Sequence, residues 1–126
     1  MGEPGGIGPE VIVKAMFCAE IRNYCSPVVI GDLEVMKEAV KLTGLPLRVR
    51  SILKVSESIP AAGDIELIHV ASYPSFKKGC PSKKAGRAVV KYIRKAVGLA
   101  LKKDISAIVT APISKGSLRL AGYKWP

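Results

Sequence analysis

The sequence predicts an α/β fold, a mostly parallel sheet with flanking helices. Short apolar runs alternate with amphipathic segments, and glycine, proline or capping residues separate them. Strands that alternate with helices pair in parallel, because each helix carries the chain back across the sheet. With 126 residues, 48% of them hydrophobic and 24% charged, the chain has the composition and size of a single globular domain.

A glycine-rich loop opens the chain. Residues 2–10 read GEPGGIGPE, and four glycines with two prolines cannot form the interior of a helix or strand. The backbone at Gly5, Gly6 and Gly8 can therefore approach a ligand or another chain closely. Pro9 suits the first turn of a helix, which we predict over residues 9–21. The spacing matches neither a dinucleotide fingerprint nor a P-loop, so by pattern alone a plain surface turn fits equally well.

A strand–helix unit follows the first helix. The apolar residues 27–30 predict a strand buried on both faces. Asp32 is a good N-cap for the next helix, and Gly44 ends that helix with a proline just beyond it. This unit is the clearest local structure in the N-terminal half.

Two further strands are predicted in the middle of the chain. Apolar and basic residues alternate over 47–52, which indicates an edge or half-exposed strand. Residues 65–70 form another apolar run, and His69, the only histidine of the chain, lies within it. Because one imidazole cannot make a metal site, we interpret His69 as structural.

The C-terminal half combines a long irregular stretch with the strongest helical pattern. Residues 71–84 are rich in lysine, proline and glycine, and we expect them to be mobile or ordered against an anionic group. Ser82 can cap the helix that follows, whose apolar face consists of Val89, Ile93, Ala96, Val97, Ala100 and Leu101. Residues 105–110 predict a final strand, buried by its composition, and a short helix is expected from Lys115 to Leu120.

The carboxyl end of that final strand is the second candidate functional site. Ligands of open α/β sheets bind beyond the carboxyl ends of the strands, where Thr110 and Lys115 would lie. A lysine at a helix N-terminus opposes the helix dipole by roughly 0.3–1 kcal/mol, unless an anion also binds there. A solvated lysine with no function is the alternative interpretation.

Charge and cysteine content further restrict the possible functions of the chain. Residues 67–126 hold 13 Lys and Arg against one acidic residue, whereas residues 1–66 are slightly acidic. A phosphorylated substrate or a nucleic acid would be attracted by such positive potential, but the aromatic residues are too scattered for a nucleic-acid surface.

Cys18, Cys25 and Cys80 lack paired metal spacing and are expected to be free thiols of unassigned role. No membrane span or signal peptide is apparent, and the chain has the character of a cytoplasmic protein.

Four stretches in order resemble the 4-hydroxythreonine-4-phosphate dehydrogenase family. They are the glycine loop at residues 2–10, VVIGD at 28–32, GRA at 86–88 and IVTAPISK at 108–115. The chain departs from the family pattern mildly, with Glu3 in place of Asp and Ser114 in place of Asn. The ends depart more, because the resemblance implies a strand before the loop and a Gly-His-Thr-Glu motif beyond Pro126. The chain is thus expected to be a partial N-terminal α/β domain, residues 1–126, of a larger two-domain enzyme.

The resemblance implies a function as well as a fold. The fold would be part of an isocitrate/isopropylmalate dehydrogenase-like architecture, with the active site at a homodimer interface. The reaction implied is NAD-dependent oxidation and decarboxylation of 4-phosphohydroxy-L-threonine in pyridoxal phosphate biosynthesis, with a zinc, magnesium or cobalt ion. The metal ligands and most nicotinamide contacts would lie outside this chain. Gly5, Gly6, Gly8, Thr110 and Lys115 are the candidates for the substrate cleft, and the fragment alone is expected to be inactive.

Two other functions remain open from the sequence. The parent enzyme could be a sister dehydrogenase that acts on another phosphorylated hydroxy acid. Alternatively, the chain could be a non-catalytic module whose basic half binds a polyanion.

Overall fold

The computed structural model describes residues 1–73 and 75–124. Pro74, within the predicted irregular stretch, and the last two residues of the predicted domain lie outside the described residues. The elements, in order, are helices α1 and α2, strand β1, helix α3, strands β2 and β3, and helices α4 and α5. Their bounds are α1 Gly8–Phe17, α2 Ala19–Tyr24, β1 Val29–Gly31, α3 Leu33–Thr43, β2 Arg48–Ile52, β3 Asp64–His69, α4 Lys83–Leu101 and α5 Lys115–Leu120, with a 3₁₀ turn at Val55–Glu57 between β2 and β3.

The three described strands form one parallel sheet in the order β1-β3-β2. The predicted α/β class and parallel pairing are therefore confirmed. Strand β3 is central, and β2 lies at an edge as its alternating pattern indicated. The side chains of β3 are buried from Ile65 to Ile68, which is typical of a strand covered on both faces.

The main core lies between the sheet and helices α1 and α3. Its buried members are Val13, Val29, Met36, Ala39, Leu47, Ile65 and Leu67. Helix α4 packs on β1 and on α5, where Val89, Val90 and Leu118 form a second, smaller cluster. Apolar residues at helical spacing therefore fix which face of each helix meets the sheet.

Most predicted caps are confirmed. The Asp32 carboxylate accepts hydrogen bonds from the backbone N–H groups of Glu34 and Val35, and Gly44 ends α3 in the left-handed conformation at φ 64°. Ser82 accepts from the Ala85 N–H at the start of α4, and Lys115 is the first residue of α5. These local signals were sufficient because each cap involves residues within one turn.

Two predictions about elements are wrong, and one predicted apolar helix face is covered only in part. The first helix does not run unbroken over residues 9–21, because Cys18 is extended (φ −70°, ψ 110°) and separates α1 from α2. Residues 105–110 form no strand within the described chain, and Ile108 and Val109 are exposed rather than buried. Val97 and Leu101 of α4 are also exposed, because no described element covers that end of the helix. An extended segment becomes a strand only when a neighbour supplies its ladder of hydrogen bonds.

Candidate functional site

The glycine loop, residues 2–8, lies directly against residues 111–114. The Glu3 N–H donates to the Pro112 carbonyl at 2.9 Å. A Cβ atom added to Gly2 would lie 2.2 Å from the Pro112 carbonyl oxygen, and one added to Gly8 would lie 3.4 Å from the Ala111 Cβ. The two motifs, about a hundred positions apart in sequence, are therefore in contact, and only glycine fits at position 2.

The glycine loop also contacts part of the lysine-rich irregular stretch. The Gly79 N–H donates to the Gly5 carbonyl at 2.8 Å, and Lys78 Nζ lies 3.1 Å from Glu10 Oε1. A Cβ atom added to Gly5 would lie 3.0 Å from the Lys77 carbonyl oxygen. Lys78 and Gly79 of this stretch are thus held against the glycine loop and the carboxylate of Glu10. An open hollow of about 340 Å³ lies beside these residues, lined by Gly5, Gly6, Ile7, Glu10, Leu42, Lys78 and Gly79.

A buried hydrogen-bond chain holds the loop to both C-terminal helices. Ser117 Oγ donates to Glu3 Oε1 at 2.9 Å and accepts from the Ser82 N–H at 3.0 Å. Glu3 is 7% exposed and Ser117 is fully buried. Burial raises the pKa of the Glu3 carboxyl, and the hydrogen bonds from the Ser117 hydroxyl and the Ser114 backbone act in the opposite direction. The second carboxylate oxygen of Glu3 has no partner among the residues that the structure describes.

The carboxyl ends of β1 and β3 are held together by structural contacts. His69 Nδ1 accepts from the Leu33 N–H at 3.2 Å, so the imidazole supports the start of α3. Asp32 Oδ2 accepts from the Tyr73 N–H at 3.3 Å. Tyr92 is buried, and its burial, followed by the negative charge of Asp32, raises the pKa of its hydroxyl. These groups fix the edge of the sheet at which the glycine loop lies.

The five predicted site residues fall into two groups. Gly8 lies against Ala111, which is next to Thr110 in the chain. Lys115 lies three residues after Pro112, whose carbonyl accepts from the Glu3 N–H. Thr110 and Lys115 are both exposed. Gly5 and Gly6 line the hollow next to Lys78. The candidate residues thus lie along one loop with two contacts, one to residues 111–114 and one to the lysine-rich stretch.

The metal implied by the resemblance finds no complete set of ligands among the described residues. Within residues 1–73 and 75–124, no three His, Cys, Asp or Glu side chains lie close enough together to hold a metal ion. One oxygen of Glu3 accepts from Ser117, and Asp32 accepts from the start of α3. The three cysteines are free, as predicted, and all three are exposed. The described residues therefore do not fit a metal centre by themselves.

Helix α4 presents a basic face to solvent. Six cations of the helix are exposed, and no ion pair of the described residues includes any of them; they are Lys83, Lys84, Arg87, Lys91, Arg94 and Lys95. Lys91 Nζ lies 5.4 Å from the centre of the Tyr73 ring, a cation–π contact. None of the described helices is both long enough and apolar enough to cross a bilayer.

The chain is an α/β domain with an open parallel sheet, a class of fold whose ligands bind beyond the carboxyl ends of the strands. The chain belongs to the family described as pyridoxal phosphate biosynthetic protein PdxA, whose model matches residues 23–126. The predicted family is thereby confirmed.

Named relatives agree with this assignment. A D-threonate 4-phosphate dehydrogenase from Cupriavidus necator is 40% identical over the whole chain, and a 4-hydroxythreonine-4-phosphate dehydrogenase from Trichlorobacter lovleyi is 36% identical. The crystal structure of a 4-hydroxythreonine-4-phosphate dehydrogenase from Burkholderia phymatum superimposes with a TM-score of 0.96 at 37% identity. All of this chain is covered in each case, but only 38% of the relative. The chain thus spans little more than a third of the relatives' length.

Sequence reasoning missed two residues that organise the site. Glu3 was noted only as a mild departure from the family pattern, and Ser117 was not singled out at all. Their contact joins positions 114 residues apart, and no local pattern reports such a pair. The one available signal was an acidic residue inside a glycine loop.

Proposed function

We propose that this chain forms one wall of the substrate cleft of an NAD-dependent dehydrogenase that oxidises 4-phosphohydroxy-L-threonine. The contact between the glycine loop and residues 111–114, in a chain of the PdxA family, is the observation that supports this most directly. In this reaction the substrate's secondary alcohol becomes a ketone, a hydride passes to NAD, a proton is released, and the keto acid then loses carbon dioxide. The product would serve pyridoxal phosphate biosynthesis.

Each candidate residue has a distinct part in this proposal. Lys115 is exposed at the start of α5 and offers a mobile ammonium to the substrate's phosphate or carboxylate. Thr110 offers a hydroxyl that both donates and accepts hydrogen bonds. Gly5, Gly6 and Gly8 let the backbone of the loop approach the substrate closely. The positive charge of residues 67–126 would raise the local concentration of a phosphorylated substrate.

The remaining parts of the site would come from outside this chain. We propose that residues 1–126 are part of the N-terminal α/β domain of a two-domain, homodimeric cytoplasmic enzyme, in keeping with the share of the relatives that the chain spans. A divalent ion (zinc, magnesium or cobalt), when bound, would polarise the substrate's hydroxyl and carboxylate oxygens. The described residues hold and shape the loop, whereas the metal ligands and most nicotinamide contacts would be supplied by later residues. The basic face of α4 is expected to be solvated rather than to bind nucleic acid.

A sister activity is the second candidate. The Cupriavidus necator relative, named D-threonate 4-phosphate dehydrogenase, is 40% identical, slightly more than the 36% of the Trichlorobacter lovleyi relative. The two substrates share a phosphate and a secondary alcohol and differ at the neighbouring carbon, which carries an amino group in one and a hydroxyl in the other. Lys115 and Thr110 would contact features common to both, so selectivity would rest on other residues.

A chimeric enzyme tests the proposal. The segment of the Cupriavidus necator enzyme that aligns with this chain would be replaced by residues 1–126, with the relative's preceding and following residues kept. We expect NAD reduction with at least one of the two phosphorylated substrates. Lys115→Met should lower kcat/KM about 10- to 100-fold, largely through KM, because one charge-assisted hydrogen bond is lost.

The matched control is Lys102→Met, which removes an exposed lysine after the far end of α4. This change should leave both constants within about twofold of the parent chimera. A folded chimera without turnover, or equal losses in the two variants, would contradict the proposed cleft. Turnover of D-threonate 4-phosphate alone would favour the sister activity.

A further inference from the structure

Glu3 joins the glycine loop to the segment that leads into α5. Its backbone N–H donates to the Pro112 carbonyl at 2.9 Å. Its side chain accepts from Ser117 Oγ, also at 2.9 Å, and both side chains are buried. One residue of the loop therefore holds this segment before the helix and again within its first turn.

Helix α5 depends on such contacts for its position. It has six residues, and a helix this short is not stable by itself in water. Ser114 caps it by accepting from the Ser117 N–H at 3.1 Å. The Ser117 hydroxyl donates to Glu3 and accepts from the Ser82 N–H. The first turn of α5 is thus fixed from the interior of the protein, at Ser117.

Lys115 lies in this same turn, between Ser114 and Ser117, and its side chain is exposed. The direction in which a helical side chain leaves its helix follows from the backbone that carries it. The four-carbon stem of a lysine is flexible, so the protein fixes the point at which the stem begins. Because Glu3 holds the turn, it fixes that point relative to the glycine loop.

The charge of Glu3 also suits a lysine at this place. A cation at a helix N-terminus opposes the helix dipole, whereas a carboxylate there is favourable. The Glu3 carboxylate contacts the N-terminal turn of α5 through Ser117. It therefore offsets the unfavourable position of Lys115.

We propose that Glu3 is a positioning residue for Lys115. Its carboxylate, acting through Ser117, sets where the lysine side chain leaves α5 and hence how the ammonium reaches the phosphate or carboxylate of the substrate. Glu3 is 7% exposed, so it acts through its neighbours rather than by touching the substrate. This inference rests on the proposed function, which gives Lys115 a substrate to bind.

The kinetics of the chimeric enzyme test this role. Glu3→Gln keeps the shape of the side chain and removes its charge, and Ser117→Ala removes the hydroxyl that contacts it. We expect each variant to raise KM for the phosphorylated substrate about five- to tenfold and to leave kcat within about twofold, because only the placement of a binding group changes. The control Glu20→Gln makes the same chemical change at an exposed residue of α2 and should leave both constants within about twofold of the parent chimera.

A double-mutant cycle separates the positioning of Lys115 from a general loss of stability. In the Lys115→Met chimera the ammonium is absent, so its placement no longer matters. Glu3→Gln should then raise KM by less than about twofold. A residue that only stabilised the fold would raise KM by the same factor in both backgrounds.

Hydrogen exchange of the chain itself tests the link between Glu3 and α5. The Ser117 and Leu118 amides donate to Ser114 in the first turn of the helix. In Glu3→Gln they should exchange about tenfold faster, while the amides of β3 keep the exchange rates of the parent chain.

The possible failures are distinguishable. An active chimera in which neither variant raises KM, or in which the increase persists without the Lys115 ammonium, would overturn the positioning role and leave the proposed function intact. Unchanged exchange at Ser117 and Leu118 would overturn the link itself. A folded parent chimera without turnover would overturn the proposed function, and the positioning role with it.

Discussion

At the scale of single residues, the amino group of Met1 links the charge of the chain terminus to the stability of the sheet. It is buried against the Ile30 carbonyl, and its pKa falls from the ordinary value of 8.0 to about 6. Between these two values the unfolded chain binds more protons than the folded chain. The free energy of unfolding therefore rises as the pH increases from 6 to 8.

This linkage can be measured by urea unfolding across that pH range. We expect stability to increase by about 2 kcal/mol from pH 6 to pH 8, because a shift of one pKa unit corresponds to 1.36 kcal/mol and most of the two-unit shift takes effect in this range. The control is the same chain with an acetylated N-terminus, which keeps the amide donor and removes the titration. Other groups, such as Glu3, contribute equally to both proteins. Identical pH dependence in the two would show that the amino group is not buried in solution.

Between elements, the contact of α4 with α5 depends on one glycine. A Cβ atom at Gly86 would lie 2.1 Å from the Ser117 carbonyl oxygen and 2.9 Å from the Ala121 Cβ. Ser117 in turn holds Glu3 of the glycine loop. Any group added at position 86 would therefore separate the two helices and disturb the loop as well.

The same helix carries the control for this contact. Gly86→Ala should destabilise the fold by several kcal/mol, roughly 2–4, because the backbone it meets cannot move aside without loss of packing. Gly98 lies on α4 with open space around it, so Gly98→Ala should stabilise the chain by about 0.5–1 kcal/mol. Thermal unfolding of both variants checks the pair of signs. A Gly86→Ala protein as stable as the parent would rule out the close contact of α4 and α5.

Elements with complete local signals could be predicted from the sequence. Asp32 and Gly44 bound α3, and Ser82 begins α4, because capping depends on residues within one turn. Residues 105–110 have the composition of a strand but not its hydrogen bonds. Composition predicts that a segment can form a strand. Whether it does so depends on a neighbouring strand that supplies hydrogen bonds, and composition does not show that neighbour.

At the scale of the whole molecule, the candidate site was predictable only in outline. The glycine loop and residues 110–115 were identified by their motifs. The structure brings the loop into contact with Pro112, inside the second of these segments. The buried chain through Glu3, Ser117 and Ser82 depends on the tertiary fold and leaves no periodic pattern in the sequence. The position of Gly5 and Gly6 beside Lys78 likewise depends on the course of the backbone.

The whole molecule also sets a limit on activity. We expect the isolated chain to show no dehydrogenase turnover with NAD and added zinc, magnesium or cobalt. The physical reason is that no three potential ligands among residues 1–73 and 75–124 gather at one point, and the chain spans only 38% of its relatives. Weak binding of a phosphorylated substrate near Lys115 remains compatible with this expectation, because charge alone supplies it. NADH formation would be compared with a mock purification and with the Lys115→Met chain, and turnover above the mock that Lys115→Met abolishes would show that these residues form a complete catalytic site.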